Sequence, residues 1–389
     1  MKKIRIAIVT GSRAEYSLLR PLIKLIEKDK ECAFKLIVTA SHLSEEYGYT
    51  KNEIVKDKLK IYQELEILSS SNNSIGMSKS VGLGFLSFSD CLSKLKPDLL
   101  IILGDRYEIF VAAYTSILLN IPVAHIHGGE LTYGAIDDIL RHAITKASSF
   151  HFTSTSTYRK RVIQMGENPK NVFNYGALAV ERLKKSNNIN FKKLEEFKNF
   201  DFSSGYILVT VHPETAYGGN SGKIIDPILD SLDQLKDFSI IMTYSNSDPG
   251  GNYINNKKNK FCQINPYKRL IIKSMGYDLY ANILKNSKLI LGNSSSGIFE
   301  APILGIPNVN VGTRQEGRIT SNTNYNAKPK EKDITNIINK IIKMKKMKPI
   351  KHGFGKGNTS QLILNEIKNI FKKGNIVSNK KFYDIKFKI

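Results

Sequence analysis

The stretch IRIAIVTGSRAEYSLLRPLIKLI, residues 4–26, decides the class of fold. Ile4–Thr10 is an apolar run that ends at Gly11. Tyr16–Ile26 then carries Leu18, Leu19, Leu22, Ile23 and Ile26 at helical spacing. A strand, a glycine and a helix open an α/β unit. The lysines ahead of the run imitate a secretory leader, but the run is short and gives way to Gly11 and Arg13. It reads as a buried first strand.

Working outward, the pattern continues. Phe34–Thr39, Asp98–Leu103, Pro122–Ile126 and Ser149–Thr153 read as strands, with Arg141–Ala147 in a helix. It then starts again with strands at Tyr206–Val211, Ser239–Thr243, Arg269–Lys273, Lys288–Leu291 and Pro307–Val311. Helical spacing covers Ile224–Leu235 and Tyr277–Asn286. Strands apolar on both faces belong in a parallel sheet covered by helices on both sides. The expected fold is therefore α/β, with two Rossmann-like, doubly wound parallel-sheet domains facing a cleft. The expected division is 1–180 and 181–357, with a polar junction at Lys184–Ser203. A helix follows at about 358–375, and then a basic tail, 376–389.

Composition narrows the class. A chain of 389 residues is too long for one ordinary core. An apolar content of 41% and a charged content of 24% suit a soluble globular protein. No run approaches the ~20 apolar residues that span a bilayer, so no membrane partner is expected. Cys32, Cys91 and Cys262 are few, odd in number and far apart. That argues against a disulfide framework or zinc site and suits a reducing cytoplasm. The net charge of +23 raises nucleic-acid binding. No RNA-binding signature or zinc finger supports it, and the lysines are spread along the chain. The densest run, Ile337–His352, reads as a helix with a solvated face and then a loop. Net positive charge also attracts small anions such as sugar nucleotides.

The chemistry-bearing segments all fall at predicted strand ends, where this fold binds ligands. They are GSRAEY (Gly11–Tyr16), GDRYE (Gly104–Glu108), HIHGGE (His125–Glu130), HPET (His212–Thr215), SNSDPGG (Ser245–Gly251), GNSSSGIFEAP (Gly292–Pro302) and GTRQEGR (Gly312–Arg318). Gly11-Ser12-Arg13 lacks the GxGxxG spacing of a dinucleotide site. Arg13 either forks onto phosphate at a helix start or pairs with Glu15. Ser294, Ser295 and Ser296 precede a helix and either cradle an anion or simply cap it. Glu300, inside that helix, can accept both hydroxyls of a ribose. His212 either donates to a diphosphate or is a core residue.

Asp105, Glu108, Glu130, Asp137 and Asp138 surround His125 and His127. Acid–base work on a sugar ranks first. A salt-bridge network with Arg106, Arg141 and His142 ranks second. A metal site ranks last, because HIHGGE lacks the i, i+4 histidine spacing of a helical zinc site.

Taken together and in order, these segments resemble the hydrolysing UDP-N-acetylglucosamine 2-epimerases, over residues 1 to about 320. RKRVIQMGENPKNVFNYGALA (Arg159–Ala179) is similar as well. The resemblance implies the two-domain GT-B fold, with the last helix, Gln361–Phe371, crossing back to the first domain. It implies UDP contacts from Arg13, Ser17, Arg106, His212, Asn246, Ser294, Ser295, Glu300 and Arg314. It places catalytic carboxylates at Asp105 and Asp137. The family often has a glutamate where this chain has His127, so either His127 or Glu130 takes over that proton transfer. Animal members carry a regulatory site for an activated sialic acid; Asn252 stands where one of its lysines is expected, so such feedback is not implied.

The implied reaction converts UDP-N-acetylglucosamine and water to N-acetylmannosamine and UDP, the first step of sialic-acid synthesis. UDP is eliminated as the C2 proton leaves, and a glycal-like intermediate is hydrated. Alternatives within the resemblance are the same reaction on UDP- or GDP-N,N′-diacetylbacillosamine, and a non-hydrolysing epimerase. No cofactor is implied, because a proton moves rather than a hydride. A homo-oligomer, dimer or tetramer, is expected.

Overall fold

The computed structural model describes residues 3–386 apart from 71–72, 134, 215–220, 246–247, 274, 345–346, 348, 350–352, 375 and 377–379. The first domain runs β1 (Ile4–Thr10), α1 (Arg13–Lys28), β2 (Cys32–Thr39), α2 (Lys51–Lys56), β3 (Ile61–Leu65), α3 (Ser74–Leu95) and β4 (Leu99–Leu103). It continues with α4 (Tyr107–Leu118), β5 (Val123–Ile126), α5 (Asp137–Ala147), β6 (Phe150–Thr153), α6 (Ser156–Gln164), β7 (Val172–Asn174) and α7 (Leu178–Lys184). The expected division at residue 180 falls inside α7.

The second domain runs β8 (Tyr206–Thr210), α8 (Ser221–Asp233), β9 (Ser239–Thr243), α9 (Gly251–Gln263), β10 (Arg269–Ile272) and α10 (Gly276–Asn286). Then follow β11 (Ile290–Gly292), α11 (Ser296–Leu304), β12 (Asn308–Val311), β13 (Asn324–Ala327) and α12 (Glu331–Ile342). The last helix, α13 (Thr359–Lys372), packs on α1, and its Ile363, Leu364 and Ile367 join the first domain's core.

Both sheets are parallel. Their orders are β3-β2-β1-β4-β5-β6-β7 and β10-β9-β8-β11-β12-β13. Each order reverses once, between β1 and β4 and between β8 and β11. The crevice outside the carboxyl ends at such a reversal is where doubly wound sheets bind ligands. The alternation of side chains explains the layering. Ile6 and Ile8 face α1 and α13, while Ala7 and Val9 face α3 and α4. The second sheet repeats this, with Ile207 and Val209 on one face and Tyr206 and Leu208 on the other.

Three features differ from the sequence expectation. The Lys184–Ser203 junction is not simply polar: Phe191, Phe197 and Phe200 are buried in the second domain's core. The helix α3 was hidden in sequence by Gly76, Gly82 and Gly84, poor helix formers that packing overrides. The strands β3, β7 and β13 are short or polar edge segments with no continuous apolar run. Among the described residues no helix is long and apolar enough to cross a membrane.

Candidate active site

The first-domain half of the cleft is built on three strand ends. After β1, the Ser12 hydroxyl caps α1 by accepting from Glu15 N at 3.4 Å. Glu15 turns back and accepts the Gly11 amide at 2.7 Å. The pairing of Arg13 with Glu15 weighed from sequence is thus replaced. Arg13 instead donates to the Lys273 carbonyl of the second domain at 3.4 Å. After β4, Arg106 sits at the start of α4, where it donates to Glu108 at 2.8 Å and to Asp248 of the second domain at 2.9 Å.

After β5 the chain turns sharply at His127, whose φ of +69° lies in the left-handed region. A β-strand cannot continue through such a residue, and a non-glycine residue is held there only by its surroundings. The His127 amide donates to the Phe152 carbonyl at 2.9 Å. Gly129 follows at φ +80°, where a Cβ would lie 2.5 Å from the Tyr158 carbonyl oxygen. This tight loop turns the His127 ring toward Glu130, with Nδ1 3.1 Å from Oε1, and sets it edge-on to Phe299. The His127 Nε2 atom is buried and has no hydrogen-bond partner among the described residues.

The helix α5 supplies Asp137 in its first turn and Arg141 one turn later. Arg141 is fully buried and bonds Asp105, Asp138, the Thr132 hydroxyl and the Glu130 carbonyl. The pairing expected as a structural network is therefore real for Asp105 and Asp138. His125 is a core residue between the Gly104 carbonyl and the Thr145 hydroxyl, and burial pushes its imidazole down to about 3.

These surroundings drive the carboxyls apart. Burial pushes Asp105 up, but Arg141 and Arg318 together hold it below its ordinary value. Asp137 is pushed up to about 7 by burial and by the charges of Asp105 and Asp248. Glu130 is held at about 2: burial opposes ionisation, but Arg318 and His127 outweigh it. Glu15 is pushed up to about 8 by burial and by Glu108.

The second-domain half faces these groups. His212 follows β8, and its main chain is bracketed by Asn293, which accepts His212 N–H at 2.8 Å and donates to His212 O at 2.9 Å. Burial and the cations Arg314, Lys258, Arg106 and Arg13 keep this imidazole neutral, well below its ordinary value. Ser295 is the cap residue of α11, and the Ser294 hydroxyl accepts from Ser296 N at 3.3 Å. Tyr280 bonds the Ser296 hydroxyl. Glu300 lies one turn further on, and burial pushes it up to about 7. Arg314 reaches the Asn293 carbonyl at 3.2 Å.

Two adjoining cavities of about 160 and 150 Å³ run between the halves. The first is lined by Asp105, Arg106, His127, Glu130, Asp137, Arg141, Ser295, Glu300, Arg314 and Arg318. The second is lined by Arg13, Ser17, His212, Tyr280, Ser294, Ser295 and Glu300. One end thus carries carboxyls of unequal proton affinity beside an imidazole. The other carries hydroxyls, helix-start amides and neutral or cationic donors suited to a diphosphate. Among the described residues no group of three or more His, Cys, Asp or Glu could hold a metal ion.

The sequence profile of the UDP-N-acetylglucosamine 2-epimerases matches residues 24–368. The chain belongs to this family. It is 43% identical to the GDP/UDP-N,N′-diacetylbacillosamine 2-epimerase (hydrolyzing) of Campylobacter jejuni, over 82% of this chain and 83% of that one. It is 38% identical to the polysialic acid biosynthesis protein P7 of Escherichia coli, over 82% and 81% of the two chains. Its fold matches the UDP-GlcNAc 2-epimerase of Methanocaldococcus jannaschii, solved with UDP-GlcNAc and UDP, at a TM-score of 0.78. That likeness covers 94% of this chain and 100% of the other at 21% identity.

Against this 2-epimerase frame, twelve of the thirteen residues singled out from sequence lie on the cleft; Asn246 lies outside the described residues. Sequence reasoning missed Arg318 and Asp248, each of which pairs across the domains. Both stood inside quoted segments, GTRQEGR and SNSDPGG, but nothing local distinguished them from surface charges. It also missed Lys258, fully buried, whose ammonium donates to the Val211 and Thr243 carbonyls at 3.0 Å each and ties β8 to β9 beneath the site.

Proposed function

We propose that this protein is a hydrolysing 2-epimerase of a UDP-linked 2-acetamido sugar. The observation that carries this is the facing of proton-carrying groups (Asp105, His127, Glu130 and Asp137) and an electropositive donor cradle in one cleft. Arg13, Arg106, His212, Ser294, Ser295 and Arg314 take the UDP phosphates, Glu300 takes the ribose hydroxyls, and Ser17 and Asn246 complete the nucleotide contacts. The C2 proton leaves as the C1–oxygen bond breaks and UDP departs with the bonding pair. Water then adds its oxygen at C1 of the glycal, and a proton returns to C2 from the opposite face. The products are the 2-epimer and UDP. Asp137, near 7, has the proton affinity of a useful base at neutral pH. His127 is the second proton carrier, with Glu130 accepting from its Nδ1. Asp105, held ionised by Arg141, raises Asp137.

The sugar is N,N′-diacetylbacillosamine in the first reading. Support comes from the 43% identical Campylobacter protein and from an apolar wall, Leu18, Leu103, Ala135, Ala179 and Phe299, suited to a 6-methyl and a second acetyl group. N-Acetylglucosamine is the second reading, supported by the 38% identical polysialic acid protein.

Proton NMR in D₂O with each UDP-sugar, and no added cofactor, tests the proposal. Free 2-epimer with deuterium at C2, together with UDP, is the expected result. A product still linked to UDP, or no C2 exchange with either sugar, overturns it. Asp105→Asn is expected to abolish turnover while UDP still binds in calorimetry.

A further inference from the structure

Glu130 belongs to the first domain and Arg318 to the second, yet they form one buried ion pair at 2.9 Å. The contact is part of a wider clasp. The Tyr133 amide donates to the Glu316 carbonyl at 3.1 Å, and the Ile319 amide donates to the Tyr158 hydroxyl at 3.1 Å. Between them, the Arg318 guanidinium lies over the Phe299 ring, 5.0 Å from its centroid.

We propose that Arg318 is a positioning residue for a His127–Glu130 proton-transfer pair, supplied by the opposite domain so that the pair is assembled only when the cleft is closed. The proposal rests on the reading of His127 as a proton carrier. Glu130 Oε1 takes the Ser154 hydroxyl at 2.9 Å and His127 Nδ1 at 3.1 Å, while Oε2 is held by Arg318. An ionised Glu130 can only accept, so the His127 proton sits on Nδ1 and the lone pair on Nε2. Nε2 lies in the cavity wall, buried and without a partner among the described residues. Without Arg318, Oε2 loses its cation and Glu130 takes up a proton more readily. A protonated Glu130 can donate to Nδ1, which moves the histidine proton to Nε2 and removes the base.

The charged and titratable groups facing this pair are Arg141 of α5, Asp105 after β4, Tyr158 of α6, Glu300 of α11 and Arg318 itself. Among the described residues, Arg318, from the loop between β12 and β13 of the second domain, is the one that touches Glu130 Oε2.

The test compares wild type, Arg318→Met, Arg318→Lys and His127→Ala on whichever of the two UDP-sugars the wild type consumes. Arg318→Met is expected to lower kcat by about 10²-fold, the scale of one acid–base group. Its affinity for UDP stays within about twofold of wild type, and the acid limb of its kcat–pH profile steepens, because Glu130 takes up a proton in addition to Asp137. Arg318→Lys recovers part of the rate. Nitrogen-15 NMR of the wild type, with His127 assigned by its loss in His127→Ala, is expected to show the proton on Nδ1. A proton on Nε2 there overturns the proposal without any Arg318 variant. Loss of UDP affinity in step with kcat also overturns it, because Arg318 then binds nucleotide. A wild-type pH profile in Arg318→Met, with His127→Ala crippled, removes the proposal alone. A wild-type rate in His127→Ala removes the reading beneath it.

Discussion

Arg106 of the first domain and Asp248 of the second face each other across the cleft at 2.9 Å, both buried. The same guanidinium holds Glu108 at 2.8 Å. One cation therefore pairs with two buried carboxylates. Arg106→Met leaves them without it and is expected to cost about 3–5 kcal/mol. Asp248→Asn leaves the Glu108 pairing in place and is expected to cost under about 2 kcal/mol. Urea denaturation of the two variants checks the order.

Asp248→Asn has a second consequence. The groups facing Asp137 are Asp105 and Asp248, which raise it, and Arg314 and Arg106, which lower it. Removing one carboxylate makes ionisation easier. The wild-type kcat is expected to rise with pH through about 7 as Asp137 ionises. In Asp248→Asn that limb moves to lower pH. A limb that stays in place separates Asp137 from the rate.

Stability should also follow the buried carboxyls. Glu15 is raised in the fold to about 8 from an ordinary value of 4.5. The folded state therefore holds a proton that the unfolded state gives up. The stabilisation is fully present below about 4.5 and is lost as pH rises toward 8. Glu300, raised to about 7, adds the same slope. His125 and His212, held neutral, give the opposite slope below about 6.5, so the expected outcome is a fall in the wild-type Tm relative to that of Glu15→Gln between pH 5 and pH 8. Thermal melts across that window check it.

The basic tail is a structural element. Lys380 donates to Glu167 at 2.7 Å and to the Ser148 carbonyl at 2.7 Å. The Phe382 ring covers Gly166, where a Cβ would come within 2.3 Å of it. Truncation after Gly374 leaves Glu167 with Lys146 and His151 only. The truncated protein is expected to lose roughly 3–6 °C in Tm. Its kcat should hardly change, since none of these residues lines the cleft. A calorimetric scan and a rate assay decide it.

The sequence by itself determined the class of fold and one side of the chemistry. Runs such as Ile4–Thr10 and Tyr206–Val211 are apolar on both faces, and only a covered parallel sheet buries both. The glycine- and histidine-rich segments fall at strand ends because such turns need small residues, and that ordered set identified the family. Polar edge strands such as β13 and the glycine-bearing α3 carried no periodic signal, so they stayed hidden. Only the tertiary structure decided which charges meet. Arg318 and Glu130 are 188 positions apart, and Arg106 and Asp248 are 142 apart. No spacing rule links such pairs; they meet because two sheets reverse their strand order at facing points. The proton affinities of Asp105, Glu130 and Asp137 were equally invisible, because burial and the neighbours across the cleft set them, not their place in the chain.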